Sequence, residues 1–143
     1  MTNGRAAVVI VANSPGEVTG WALPVVSRLR ALEDKVSSRF SELVIVIVLP
    51  PCPFATGYEA MVAGLIPGVD AVVTPSEYLK FIMMGSIPER VRCLASGKKR
   101  ETWRGVVAHL GGDHLHSLLI ARMLGFPAVA YSDRTIKFQR QFI

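Results

Sequence analysis

The sequence predicts an α/β domain, a Rossmann-like and mainly parallel sheet with helices on both faces. Three observations carry this. Continuous apolar runs such as "AAVVIVA" (6–12) and "LVIVIVL" (43–49) read as strands buried on both faces. Segments with apolar residues at helical spacing lie between such runs. The two kinds alternate along the chain, which is the pattern of βαβ units. With 143 residues, the chain is long enough for one domain with its own core.

The elements follow in order. Residues 6–12 form the first strand. Residues 21–33 form a helix, with Ala22, Val25, Val26, Leu29 and Leu32 on one stripe and Arg28, Arg30 and Glu33 largely off it. Pro24 falls in the first turn, where proline is tolerated. Residues 43–49 are a second buried strand, 56–65 a short helix and 70–74 a short strand. The segment 75–85 opens with a Pro-Ser start and stops at Gly85, as helices do. A polar, basic connection, "SGKKRETWRG" (96–105), leads to a strand at 106–110 and a helix at 114–124. "GFP" (125–127) ends that helix with a glycine and a following proline, and 128–132 is the last strand. No repeat, low-complexity segment or linker divides the chain, so residues 1–143 are expected to be one domain. The abrupt "KFQRQFI" ending suggests a piece of a longer protein.

Composition narrows the classes. The chain is 50% hydrophobic and 19% charged, with a mean hydropathy of +0.38. That suits buried parallel strands, or a domain that covers part of itself with a partner, a homo-oligomer included. No stretch reaches the roughly 20 apolar residues that span a bilayer. Arg5 and the apolar run after it faintly resemble a signal peptide, but no A-x-A-like cleavage site follows, so a cytoplasmic location is expected. Cys52 and Cys93 stand alone and read as reduced thiols. The net charge is +5. Arg90, Arg92, Lys98, Lys99, Arg100 and Arg104 form one basic group, and Arg134, Lys137 and Arg140 a second. Such groups attract phosphates or an anionic membrane surface. No aromatic interleaving or nucleic-acid motif accompanies them, so nucleic acid is not an expected partner.

Ligands of open parallel sheets sit at the carboxyl ends of the strands. Two loops qualify. The first, "NSPGEVTG" (13–20), is neither G-x-G-x-x-G nor a P-loop, and Glu17 near a helix start would repel a phosphate. A carboxylate among backbone amides suits sugar hydroxyls, with Ser14, Gly16, Thr19 and Gly20 as neighbours. The plainer role is a strand-to-helix turn in which Gly16 and Gly20 supply unusual dihedrals and Glu17 or Thr19 stabilises the helix start. The second loop, 111–113, pairs Gly111 and Gly112, which allow close approach of a ligand, with Asp113. Asp113 reads as a helix cap or, more sharply, as a general base.

His114 and His116 are two apart and point about 200° from one another on a helix. With His109 they match no metal-binding spacing, so no metal is expected, although His114 could bind a sugar hydroxyl or phosphate. The helix around 78–86 is apolar almost all round. Phe81, Ile82, Met83 and Met84 there are either core or an exposed surface for lipid or an acyl chain.

Taken in order, "GEVTG" (16–20), "MMGSIPE" (83–89) and "GGDHLHSLLIARMLGFPAVAYS" (111–132) resemble the N-terminal half of lipid-A-disaccharide synthase. That is a family of membrane-associated, inverting glycosyltransferases with two Rossmann-like domains, the GT-B architecture. The resemblance implies an acceptor-side domain that takes a glycolipid or sugar acceptor, peripheral on the inner face of the membrane. It implies Glu17 and Asp113 as the catalytic carboxylates, with Asp113 the general base. It implies no cofactor here, with a nucleotide-sugar donor held by a second, C-terminal domain. Two departures leave the acceptor's identity outside what the resemblance implies. Trp21 stands where the family has Asp, and "DRTIKFQRQ" (133–141) stands where it has a Trp-rich segment. The competing class is a flavodoxin-like binding or regulatory module in which Glu17 and Asp113 are separate caps. A nicotinamide-dependent enzyme is disfavoured by the missing G-x-G-x-x-G.

Overall fold

A computed structural model describes residues 4–92, 103–131 and 139–143. Among these residues five strands form one all-parallel sheet: β1 (Gly4–Val11), β2 (Phe40–Val48), β3 (Ala71–Val73), β4 (Trp103–His109) and β5 (Ala128–Ala130), in the order β3-β2-β1-β4-β5. This is the Rossmann-like α/β arrangement expected. The order reverses at β1, so the crevice between β1 and β4 is the topological switch point of the sheet.

Helix α1 (Pro15–Glu17), a π-helical segment (Val18–Ala22) and α2 (Leu23–Val36) run on without a break after β1. Helix α3 (Glu59–Gly64) follows β2, α4 (Pro75–Met84) follows β3, and α5 (His114–Leu124) joins β4 to β5. Short 3₁₀ turns lie at Glu89–Val91 and Gln139–Gln141. Among the described residues, no helix is long and apolar enough to cross a membrane.

Strand alternation sends side chains to two cores. Ile10, Ala12, Ile45, Ile47 and Leu49 face Val18, Ala22 and Val26 of the first helical run and Ala63 of α3. Val9, Val11, Val46, Val48 and Val107 face Tyr78 of α4 and Ile120 and Ala121 of α5. At about 25 cal/mol per Å² of apolar surface buried, these two layers supply the main driving force for folding.

Several boundaries differ from expectation for local reasons. The helix expected at 21–33 begins at Pro15, because Ser14 and Glu17 form a capping box. Most of the expected loop 13–20 is therefore helical. Gly16 and Gly20 have no left-handed backbone, and an added Cβ would meet nothing within 4 Å, so neither supplies an unusual dihedral. Strand β2 starts earlier than expected, at Phe40, and Glu42 there pairs with Arg5 at 3.2 Å. Strand β4 starts at Trp103, three residues before the expected start, inside what reads as a polar connection. A Cβ on Gly105 would strike the Phe126 ring, so glycine is what lets that ring lie on the strand. The cap of α4 is Thr74 with Glu77 in a second capping box, and Pro75 is the first helical residue, instead of a Pro-Ser cap. The expected start of the connection at 96–102, Cys93, and the stretch 132–138 lie outside the described residues.

Helix α4 corrects part of the lipid-contact expectation. Phe81 is 7% exposed and belongs to the core, and Ile82 packs against it. Met83 and Met84 are exposed. They lie at the far end of a ten-residue helix that starts beside the carboxyl end of β3, about 15 Å along its axis from that edge.

Candidate functional site

At the end of β1 the chain makes a short step through Ala12 and Asn13 to Ser14, which caps α1. The Ser14 hydroxyl accepts from the Glu17 amide at 3.3 Å. The Glu17 carboxylate returns the contact, its Oε2 accepting from the amides of Asn13 at 2.8 Å and Ser14 at 3.2 Å. One carboxylate oxygen is thus held by the backbone while the side chain borders an open cleft. Thr19 donates to the Pro15 carbonyl at 2.9 Å, a bond inside its own helix.

Strand β4 ends at His109, followed by Leu110, Gly111 and Gly112. Gly112 has φ +83°, in the left-handed region where glycine is favoured. A Cβ there would meet the Asn13 amide, and one on Gly111 would land on the Glu17 carboxyl group. The two glycines let the β1 and β4 crossovers touch. Asp113 caps α5, its carboxylate accepting from the Leu115 amide at 2.9 Å.

Below the crossovers lies a polar layer. The His109 ring is 3% exposed and its Nδ1 shares a hydrogen bond of 2.7 Å with the buried Ser117 hydroxyl. His114 stacks on His109 with ring centroids 4.3 Å apart. Its Nε2 is buried without a hydrogen-bond partner. Phe142 lies against both rings, at 6.3 and 6.0 Å. Burial first, then the neighbouring His114, pushes the His109 pKa down to about 4, so it is neutral near pH 7. His116 Nδ1 shares a 2.6 Å bond with the Tyr78 hydroxyl. Burial, assisted by the Asp113 charge, raises that phenol to about 12, and burial lowers the His116 pKa.

The cleft at the switch point has a volume of about 320 Å³. Glu17, Gly111, Gly112 and His114 line it, as do His109 and Leu110. Trp21, from the π-helical segment, and Tyr131, just past β5, complete it, their ring centroids 4.9 Å apart. Of the residues expected at the site, Glu17, Gly111, Gly112 and His114 are brought together. Ser14 is occupied in the cap of α1 and Thr19 in its bond to the Pro15 carbonyl, and Ser14, Gly16, Thr19, Gly20 and Asp113 are not among the lining residues. Trp21 and Tyr131 were not expected. The signal for Trp21 is its place four residues after Glu17, and for Tyr131 its place at a strand's carboxyl end.

No family model matches the chain, and no curated protein or solved structure matches it significantly. The site therefore stands on its geometry. Among the described residues no group of three His, Cys, Asp or Glu side chains is placed to hold a metal ion. The described lining offers a carboxylate, imidazoles and backbone amides, and includes no Lys or Arg. That set suits hydroxyl groups better than phosphates. Of the basic groups, Arg90 pairs with Glu77 at 2.7 Å and Arg92 with Glu89 at 2.8 Å. Arg104 and Arg140 are exposed.

Proposed function

We propose that this chain is the acceptor-side domain of a glycosyltransferase of the GT-B kind, similar to lipid-A-disaccharide synthase. The observation that supports it most is the cleft at the β1/β4 switch point, with Glu17 and the Gly111–Gly112 turn on its walls. Ligands of open α/β sheets bind at this crevice. In this reading a saccharide acceptor lies in the cleft and one hydroxyl donates to Glu17. The proton released as that hydroxyl attacks the donor sugar passes to a carboxylate. Glu17 is the carboxylate on the cleft wall. Asp113, bonded to the Leu115 amide, would have to turn out of its cap to serve as base. The resemblance adds a glycolipid acceptor, an anionic membrane surface for the basic residues, and a nucleotide-sugar donor on a second domain.

One observation favours the second reading, a non-catalytic flavodoxin-like binding module. Asp113 acts as a helix cap and does not line the cleft. The test is a titration of the ¹⁵N-labelled chain with a methyl glycoside and, separately, with UDP. The acceptor-domain reading expects the glycoside to shift the Gly111 and Gly112 amides, Glu17→Gln to weaken that response about tenfold, and UDP to leave those amides unmoved. A lost hydrogen bond to a charged group is of that size. UDP filling this cleft, or no response to any glycoside, would overturn it.

A further inference from the structure

The cleft has a mouth of unusual composition. Trp21 is 42% exposed and Tyr131 56% exposed. Their rings lie 4.9 Å apart between centroids at a tilt of 42°, and both border the space above Glu17. Two large aromatics left in water on the rim of a polar cleft expose apolar faces that a ligand ring can cover. The faces of a pyranose are C–H surfaces, and its edges carry hydroxyls. Such a ring can rest on an indole or phenol while its hydroxyls reach a carboxylate below.

We propose that Trp21 and Tyr131 form a stacking platform that selects an uncharged sugar ring, with Glu17 accepting a hydroxyl from its edge. The inference rests on the reading of the cleft as a saccharide site and adds which part of the saccharide enters and what grips it. Charge supports the choice of an uncharged ring. Glu17 is the formal charge among the described lining residues, and His109 beside it is neutral near pH 7. A phosphate in this space would face a carboxylate with no cation among the described lining residues to offset it. The volume of about 320 Å³ is at the small end for ligand sites and suits a single ring better than a dinucleotide.

The two tryptophans of the chain are Trp21 and Trp103, and Trp103 is at the start of β4, with Arg5 over its ring at 5.6 Å. A Trp103→Phe background thus makes Trp21 the fluorescent reporter. Methyl glucoside, glucose 1-phosphate and inorganic phosphate are titrated in turn. Amide shifts at Gly111 and Gly112 give a second readout independent of tryptophan. The expected result is a saturable fluorescence change with methyl glucoside, binding at least fivefold weaker for glucose 1-phosphate, and none for inorganic phosphate. By the amide readout, Trp21→Ala and Tyr131→Ala should each weaken methyl glucoside at least fivefold. Wild-type affinity in both alanine variants would overturn the platform while leaving the cleft reading intact. Tighter binding of glucose 1-phosphate would overturn the selection for an uncharged ring. Silence of Gly111 and Gly112 toward both sugars would sink the cleft reading and this inference together. Trp21 and Tyr131 are exposed, so an unchanged unfolding midpoint in the variants separates loss of binding from loss of fold.

Discussion

The two faces of the sheet are built from different chemistry. On the face that carries α2 and α3, the layer against the sheet is aliphatic, Ile10, Ile45, Ile47 and Leu49 against Val18, Val26 and Ala63, and the buried charge there, Glu59, is bonded to Thr56 and Gly57 at the start of α3. On the face that carries α4 and α5, aliphatic residues share the interior with two polar pairs, His109–Ser117 and Tyr78–His116. Buried polar groups are tolerated when satisfied and stabilise less than well-packed hydrocarbon. His109 lines the cleft together with His114, so one face supplies stability and the other gives some of it up to place imidazoles at the switch point.

That contrast can be broken from either side. The largest effect is expected on the apolar face. Ile47→Ala removes a fully buried side chain and should cost about 2–5 kcal/mol in urea unfolding. A loss below 1 kcal/mol would mean that this face is not the stable one. On the polar face, Ser117→Ala leaves the His109 Nδ1 buried without a partner and should cost about 1–3 kcal/mol. An unchanged urea midpoint would show that the Ser117–His109 bond contributes nothing.

Acid is the next probe. His109 has a folded pKa of about 4 against an ordinary 6.5, so between these values the unfolded chain binds the proton more readily. Stability is full above about pH 6.5 and is lost as pH falls toward 4, by on the order of 1–2 kcal/mol at pH 5. The lowered pKa of His116 acts in the same direction. Glu59 and Glu77, whose pKa values are lowered by backbone bonds against the opposing effect of burial, add a loss only below the ordinary carboxylate range. Urea midpoints measured from pH 7.5 to 5 check the sign. A midpoint that rises on acidification would contradict a neutral, buried His109. The smallest effect is Tyr78→Phe, which removes the bond to His116 and should cost about 1 kcal/mol while leaving the apolar face untouched.

The fold was legible where burial is total. Runs such as "LVIVIVL" have no polar phase to misread, and all five strands fall near their expected places. Strand starts were not legible. Ser41, Glu42, Arg104 and Gly105 are polar or small residues at the amino-terminal ends of β2 and β4, where composition no longer reports the ladder. The early start of the first helix was encoded in Ser14-x-x-Glu17, a capping box that the neighbouring Pro15 and Gly16 disguised as a turn. Helix α4 gave no phase because it is apolar on nearly every side, so Phe81 and Met83 looked alike although one is core and the other is in water. At the site, Glu17, Gly111, Gly112 and His114 were readable from position alone, as residues at the strand ends. The Trp21–Tyr131 contact joins segments more than a hundred residues apart, which no local pattern can announce.

The π-helical segment at Val18–Ala22 gives the region an unexpected sensitivity. Viewed as an edit to the sequence, a π turn is a one-residue insertion in an α-helix, and it offsets the helical phase on its two sides by about 100°. Val18 and Ala22 are both anchored in the core across this turn, while Trp21 is carried out to the cleft. Deleting one residue here lets the turn rewind as regular helix, and then the anchors and Trp21 cannot all keep their places. Gly20, with open space around it, should therefore tolerate replacement by alanine but not removal. The number of residues in this turn matters more to the cleft than the identity of the one at position 20.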